Sequence, residues 1–327
     1  MIKEYARDAV LLLTHTGDFF TIDRVAEAIA RRGAVPFRFD TDSFPSEARL
    51  SASFEPSTLT HSISYRGEEL DSRRIRAVWA RKIWSPRMDE SLDPQYHAMC
   101  VRESAGMLKG FLDGLSEARW VNDPDRDDEA ENKLRQLRLA REAGLPIPRT
   151  LNTNDPARVR EFFDELGGAM VAKLLRPLSI SMGAAPYFVY TSEVREEDLD
   201  DAGLLRHCPM VFQEKIEKEC ELRIAYVAGE FFVGEINARD SERGQVDWRL
   251  SAPGECSWTR GAIPDDVAHG LGDLMSRLGL VYGAIDLIRT PEGEHVFLEV
   301  NPGGEWGMLE RDLDLPISGA IANALLK

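Results

Sequence analysis

The strongest constraint on the fold of this chain is a pair of strand-like segments near its end. Residues 282–288 and 296–302 are rich in apolar and β-branched side chains, and the residues between them include proline and glycine in turn positions. This pattern predicts a β-hairpin that is apolar on both faces. Any carboxylate within such a hairpin needs a compensating partner.

Two carboxylates face each other in this predicted hairpin. Pairing about the bond between residues 292 and 293 sets Asp286 opposite Glu299, and Asn301 lies two residues further on the same face. Facing carboxylates repel each other and lose solvation, so they require a cation or a proton. Two carboxylates and an amide oxygen suit Mg²⁺, whereas the alternative is a sheet edge with solvated acids. The same register pairs the apolar neighbours Leu287 with Leu298 and Ile288 with Phe297.

Basic residues also occur in strand-like segments. Lys173 lies in the apolar run 170–175, where an ammonium group requires an anionic partner. Glu221 and Arg223 share one face of a strand whose other face is apolar, and the planar donors of Arg223 suit a transferring phosphate. A lysine that snorkels from a strand end and a surface Glu–Arg pair are the alternative interpretations.

A buried strand-like segment at 210–213 breaks into a short acidic linker before the next strand begins. Free backbone N–H and C=O groups in such a linker can pair with a planar base. Glu217 beside it can accept hydrogen bonds from ribose hydroxyls. We therefore predict a nucleotide-binding hinge at this position.

The start of the chain has the pattern of strand, helix and strand. Residues 9–13 and 35–39 are predicted as strands, with an amphipathic helix between them that ends before Gly33. This βαβ arrangement predicts a parallel sheet. Further along, we predict a hairpin over 49–70 and helical segments at 86–118, 129–143 and 264–278.

The net charge of the chain limits the classes of partner that it can bind, and its cysteines indicate the compartment in which it works. The chain has 40 basic and 56 acidic residues, so its formal net charge is −16. Such a surface repels nucleic-acid phosphates and anionic lipid, and we predict neither a nucleic-acid nor a membrane partner. The four cysteines include no CxxC pair, which is typical of reduced thiols in a cytoplasmic protein.

In this order, the lysines, the hinge, the Glu221–Arg223 pair and the hairpin acids resemble an ATP-grasp nucleotide site. The chain is also similar, over nearly its full length, to the ATP-grasp ligases that form ω-ester or ω-amide macrocycles in ribosomally made peptides, the microviridin or graspetide type. The matching segments are residues 13–19, 38–45, 78–82, 132–134, 208–214, 221–223, 247–249 and 298–304. The N-terminal segments separate this family from other ATP-grasp enzymes.

The resemblance implies an α/β (α+β) protein with an ATP-grasp fold. It implies an N-terminal pre-ATP-grasp parallel-sheet domain at 1–122, a central lobe at 123–210, and a C-terminal lobe with the metal site at 211–327. ATP would lie between the last two lobes, and a homodimer is expected. Two catalytic residues are implied, Arg223 and Lys173. The implied ATP contacts are Lys133, Lys173, Gln213, Glu214, Lys215, Ile216, Glu217, Glu221 and Arg223; the implied Mg²⁺ ligands are Asp286, Glu299 and Asn301.

The implied substrate is a precursor peptide with a leader and a core. ATP would convert an Asp or Glu side chain of the core to an acyl phosphate, which a hydroxyl or amine of the same peptide then attacks. Candidate peptide contacts are Arg239, Arg81 and Lys82 for the acidic side chain, and Glu197 and Asp198 for the leader. Ester and amide products both stay open. The alternatives are a ligase for free amino acids or dipeptides and an ATP-binding regulator without ligase activity.

Overall fold

The computed structural model describes residues 7–175, 191–236 and 257–327. The strands are β1 (Ala9–Thr14), β2 (Val35–Asp40), β3 (Ala48–Glu55), β4 (Thr58–Tyr65), β5 (Glu68–Asp71), β6 (Ile75–Ala80), β7 (Arg119–Val121), β8 (Thr150–Thr153), β9 (Met170–Lys173), β10 (Ser192–Glu193), β11 (Met210–Glu214), β12 (Cys220–Val227), β13 (Glu230–Ile236), β14 (Trp258–Arg260), β15 (Tyr282–Arg289) and β16 (His295–Asn301). The α-helices are α1 (Thr21–Ala30), α2 (Pro94–Asp113), α3 (Pro124–Ala130), α4 (Lys133–Glu142), α5 (Pro156–Glu165), α6 (Asp265–Leu278), α7 (Gly307–Leu313) and α8 (Ile317–Leu326). Short 3-10 helices span Thr41–Ser43, Ser72–Arg74 and Glu196–Arg206.

The N-terminal sheet is parallel, in the strand order β2-β1-β6-β7. Every residue of β1 is buried, and α1 packs its Ile22, Val25 and Ile29 side chains into the core. The predicted βαβ unit is therefore confirmed. Its carboxyl edge, where β1 and β6 end, faces the candidate site described below.

Three predicted segments differ from the structure in their bounds. The hairpin predicted over 49–70 is a three-stranded sheet, because a second turn with positive φ at Arg66 and Gly67 reverses the chain again. The helix predicted over 86–118 is limited to α2, which the Asp93 carboxylate caps by accepting from the Gln95 N–H. The helix predicted at 129–143 is interrupted at Asn132, which caps α4. The helix predicted at 264–278 is confirmed as α6.

The middle sheet is antiparallel, in the order β10-β9-β11-β8. Its apolar face packs on α5 and the Glu196–Arg206 helix around Phe162, Met170 and Phe212. Strand β11 extends to Glu214, so a lobe boundary after residue 210 would divide a paired strand. We propose that the central lobe includes all of β11; the three-lobe division itself stays a prediction.

The C-terminal sheet is antiparallel, in the order β14-β13-β12-β15-β16. Helix α6 covers one face, and α7 and α8 lie on the other. Helix α8 also contacts α1 and β6, so one apolar core joins the C-terminal sheet to the N-terminal sheet. Among the described residues, no helix is long and apolar enough to cross a membrane.

The register of the last hairpin is partly as predicted. Asp286 pairs with Glu299, but the predicted Leu287–Leu298 and Ile288–Phe297 pairs are wrong. Next to the turn the pairing is shifted by one residue from the prediction, and the bond from Thr290 N–H to Glu294 O belongs to this shifted register. An irregularity after Asp286 then restores the predicted pairing of the two acids. The observed apolar pairs are Leu287 with Phe297 and Ile288 with Val296.

Candidate active site

The predicted metal ligands meet on one face of the β15–β16 hairpin. The Asn301 Nδ2 donates to Glu299 Oε1 at 3.0 Å and to Asp286 Oδ2 at 3.3 Å. Because an amide keeps its shape when it is turned over, the Asn301 oxygen can take the place of this Nδ2 and bind the same cation as the two acids. Two carboxylates and an amide oxygen at one point fit Mg²⁺. The described residues hold no cluster of three or more His, Cys, Asp or Glu side chains suited to a metal.

Lys133 neutralises one of these acids. As the first residue of α4, it contacts Glu299 Oε2 at 3.1 Å and donates to Val300 O at 3.0 Å and Asn301 Oδ1 at 3.1 Å. Burial alone would raise the pKa of Glu299, but the charges of Lys133 and Lys173 lower it overall. Glu299 is therefore a carboxylate at neutral pH.

Arg223 neutralises the other acid. It lies directly across from Asp286 on the neighbouring strand, and its Nη1 is 2.7 Å from both Asp286 oxygens. Burial opposes the charge, but Asp286 raises the pKa of Arg223 overall, so the guanidinium stays charged. Its Nε and Nη2 donate to the backbone oxygen of Glu305 at 3.2 and 3.1 Å.

Helix α4 is fixed to the hairpin by a residue that the sequence reasoning missed. Gln136 is buried; it accepts from Val300 N–H at 2.9 Å and donates to Val300 O at 2.7 Å. Since Gln136 lies about one turn after Lys133, this contact sets the position of the lysine against Glu299. A glutamine on an amphipathic helix is normally solvated, so nothing local in the sequence indicated this role.

A cleft between the middle and C-terminal sheets joins the other predicted site residues. Lys173 on β9, Gln213 on β11, Lys133 and Glu299 all line it. Gln213 is buried and donates to Thr150 Oγ1 at 2.9 Å. The sequence therefore predicted side chains from four separate segments that the fold brings to one cleft.

The linker after β11 has one of its predicted donors already in use. Lys215 N–H donates to Ala169 O at 2.9 Å, so this N–H is not available to a base in the described arrangement. Ile216 is half-buried and Glu217 is exposed in the same linker. The Glu221 carboxylate pairs with Lys218 at 2.5 Å.

Arg81 and Lys82 both contact Glu305 from the end of β6. Arg81 Nη2 and Lys82 Nζ are each 2.5 Å from a Glu305 carboxylate oxygen, and Arg81 Nη1 donates to Gly303 O at 2.7 Å. These bonds connect the N-terminal sheet to the segment that follows Asn301. Their predicted role in holding a substrate carboxylate stays a prediction.

The predicted leader contacts lie on the opposite face of the middle sheet. Glu197 and Asp198 are exposed in the first turn of the Glu196–Arg206 helix, which is a 3-10 helix, and Asp198 accepts from Arg195 N–H at 2.8 Å. A largely apolar groove runs beside them. It is lined by Val159, Ala172, Leu199, Leu204, Leu205 and Phe212, among other residues. Arg239 lies outside the described residues.

Comparison with known proteins gives a family model for the N-terminal part of the chain and solved structures that match nearly all of it. Residues 9–128 match the family model of the MvdD pre-ATP grasp domain. The macrocyclase MdnB from Microcystis aeruginosa MRC is 50% identical, with a TM-score of 0.84 over 98% of this chain and 99% of that one. The macrocyclase MdnC from the same organism, solved with the precursor peptide MdnA, is 34% identical, with a TM-score of 0.87 over 97% and 99%.

A third solved structure is a RiPP-associated ATP-grasp ligase from Chryseobacterium gregarium, in complex with ADP and a leader and core peptide. It is 31% identical to this chain, with a TM-score of 0.91 over 98% of this chain and 96% of that one. No curated protein matches the sequence. The similar structures thus share both the N-terminal domain and the rest of the chain.

Proposed function

The chain belongs to the family of ATP-grasp ligases that macrocyclise ribosomally made peptides, and on this premise we propose that it closes ω-ester or ω-amide rings in a precursor peptide. A carboxylate does not condense with a hydroxyl or an amine in water without activation. Transfer of the γ-phosphoryl group of ATP to an Asp or Glu side chain gives an acyl phosphate and ADP. A hydroxyl or amine of the same peptide then attacks the acyl carbon and releases phosphate.

One observation carries this proposal: the paired acids of the hairpin are held by cations that a triphosphate can also use. Lys133 contacts Glu299, and Arg223 contacts Asp286. A magnesium ion bound by Asp286, Glu299 and Asn301 would neutralise both acids and the phosphate oxygens. Lys133 and Arg223 then turn to the phosphates, where Lys173 adds a third positive charge.

The rest of the cleft fits the nucleotide. We propose that the segment from Gln213 to Glu217 contacts the adenine and ribose, with Glu214, Lys215 and Ile216 beside the base. Since the Lys215 N–H is engaged with Ala169, its C=O and the Ile216 backbone are the groups that we assign to the base. Glu221 stands at the entrance to β12 between this linker and Arg223.

The peptide is proposed to contact two regions. Its leader lies in the apolar groove beside Glu197 and Asp198, on the face of the middle sheet opposite the nucleotide cleft. Its acidic core side chain approaches Arg223 from the side of Arg81 and Lys82, with Arg239 as a further candidate. We also propose that the chain acts as a homodimer in the cytoplasm.

The test uses the precursor peptide MdnA as the probe. Incubation with ATP and Mg²⁺ is expected to release ADP and to remove one water per ring from the peptide mass. MdnA without its leader is expected to react far more slowly, because the groove then contributes no binding. ADP formation with free amino acids or dipeptides, and none with MdnA, would contradict the proposal and favour a small-molecule ligase. Nucleotide binding without ADP formation from any of these substrates would favour a regulator.

A further inference from the structure

Aromatic side chains are exposed at the carboxyl edge of the N-terminal sheet. The Trp84 residue is 50% exposed in the segment after β6, and Phe19 is 70% exposed in the segment after β1. Because β1 and β6 are neighbouring parallel strands, both segments leave the sheet at the same edge. The cations Arg81 and Lys82 lie at this edge too.

The Trp84 ring is held in one orientation. It stacks on the His15 ring with 3.7 Å between the centroids and 3° between the planes, and His15 itself is buried. Thr41 fixes the backbone on both sides, since its Oγ1 accepts from Trp84 N–H at 2.9 Å and donates to Trp84 O at 3.1 Å. An exposed ring that is already ordered loses little conformational entropy when it binds a partner.

The loop beneath Trp84 is equally ordered. Gly17 N–H donates to His15 Nδ1 at 3.2 Å, so this nitrogen is an acceptor. The imidazole ring on which Trp84 stacks is therefore neutral. Thr16 donates from its backbone and its hydroxyl to Asp42. Arg38 donates to His15 O and Asp18 O.

Phe19 is presented by a strained residue. Phe20 has φ of +63°, a conformation that side chains other than glycine rarely adopt, and such strain persists only where the surroundings enforce it. The Phe20 ring packs against Gly307, the first residue of α7, where the absence of a side chain leaves room for it. This packing covers part of the Phe20 ring, which is 40% exposed, whereas the Phe19 ring is 70% exposed.

Hydrogen bonds connect the segment that carries Trp84 to the proposed reaction centre. Lys82 and Arg81 precede Trp84 in the chain, and both donate to the Glu305 carboxylate. The Glu305 backbone oxygen accepts from Arg223, which contacts Asp286. The exposed rings and the cations Arg81 and Lys82 therefore share one edge of the N-terminal sheet, and these cations contact the same residue, Glu305, as Arg223.

We propose that Trp84, stacked on His15, and Phe19 form a subsite for an apolar, preferably aromatic, side chain of the core peptide next to the acidic residue that is activated. This proposal rests on the proposed function. A peptide with an acidic and an aromatic side chain close together complements cations and exposed rings at one edge. The subsite would determine which acid of the core is selected.

Kinetics with MdnA test the subsite. The Trp84→Ala variant is expected to raise the KM for MdnA about tenfold and to change kcat less than about twofold, because the subsite binds peptide and takes no part in phosphoryl transfer. Phe54→Ala is the matched control, since Phe54 is an exposed aromatic residue on β3 at 77% exposure, and its KM is expected to be unchanged. An unchanged KM in Trp84→Ala would overturn the proposal.

A peptide series sharpens the assignment. Residues that flank each acidic side chain of the MdnA core are changed in turn to Ala or Phe. Wild-type protein is expected to prefer Phe at one flanking position by about tenfold in kcat/KM, and Trp84→Ala is expected to lose that preference. A preference that persists in Trp84→Ala would place recognition elsewhere.

A spectroscopic measurement does not depend on turnover. In protein labelled with 5-fluorotryptophan, the Trp84 signal is identified by its absence in Trp84→Phe. MdnA core peptide without leader is expected to shift this signal, whereas leader alone is not.

If wild type forms no ADP with MdnA, the proposed function fails. A shift of the Trp84 signal with the core peptide would still support the subsite, and no shift would overturn it. Loss of a dimer in Trp84→Ala with an unchanged KM would assign the surface to a second copy instead.

Discussion

The two faces of the middle sheet differ in character although alternate residues of the same strands build them. Lys173 and Gln213 line the cleft together with Glu299, whereas Ala172 and Phe212 line the apolar groove on the other side. Successive side chains of a strand alternate between faces, so neighbouring residues serve opposite surfaces. One strand pair can thus separate the proposed phosphoryl transfer from the proposed leader binding.

The largest effect is expected on the charged face. Glu299→Gln should lower ADP formation at least about a hundredfold, because it removes a metal ligand and the partner of Lys133. Leader binding, measured by titration with the MdnA leader, should be unchanged. Glu292→Gln, at the exposed turn of the same hairpin, is the matched control with normal activity. Equal activity in both variants would contradict the metal assignment.

A substitution of Lys173 on the middle sheet tests the charged face from the side opposite Glu299. Lys173→Met should lower kcat by about tenfold to a hundredfold, because a charge beside the phosphates is lost. It should leave the leader affinity at its wild-type value even though Ala172 is its neighbour on β9. Lys109→Met on α2, which removes an exposed lysine, should change neither quantity. Joint loss of turnover and leader binding would show that the two faces are not separate.

The groove should show the reverse behaviour. Leu204→Asp should weaken leader binding about tenfold, because it places a carboxylate on the apolar surface. Leu204 is already 58% exposed, so the fold should tolerate the change. Nucleotide affinity, measured with ADP, should stay unchanged. Leu59→Asp on β4 is the control, and an equal loss of leader affinity there would exclude the groove as the binding site.

The smallest effect concerns the support of the groove. Asp155 caps α5 by accepting from Ala157 N–H at 2.9 Å. Asp155→Ala should lower the free energy of unfolding by about 1 kcal/mol, measured by urea denaturation. ADP formation at saturating peptide should be normal, because the cleft face is unaffected. A loss of turnover at saturating peptide would show that α5 supports both faces.

The sequence predicted the parts of the site that follow local periodicity. The meeting of Asp286, Glu299 and Asn301 depends only on a hairpin and on alternation along its strands. The shifted pairing next to the turn and the irregularity after Asp286 were missed, because residue types in this turn do not determine its length. Their two displacements cancel at Asp286, which is why the acid pair was correct while its apolar neighbours were not.

Individual hydrogen bonds between distant segments could not be predicted from the sequence. Gln136 bonds to Val300, and Arg81 bonds to Glu305, across separations of 164 and 224 residues. Gln136 lies in a helix and Arg81 follows a strand, and neither position by itself indicates a distant partner. Only the packing of α4 and β6 against the C-terminal sheet gives these side chains their positions.

The central claim is that one divalent ion is shared by the acids of the hairpin and the phosphates of the nucleotide. Crystals grown with Mn²⁺ and a non-hydrolysable ATP analogue test it through the anomalous signal of the metal. We expect a Mn²⁺ ion about 2.2 Å from oxygens of Asp286, Glu299 and Asn301, with Lys133 and Arg223 turned to the phosphates. Acids still paired with Lys133 and Arg223, and a nucleotide bound without metal at this hairpin, would contradict the account.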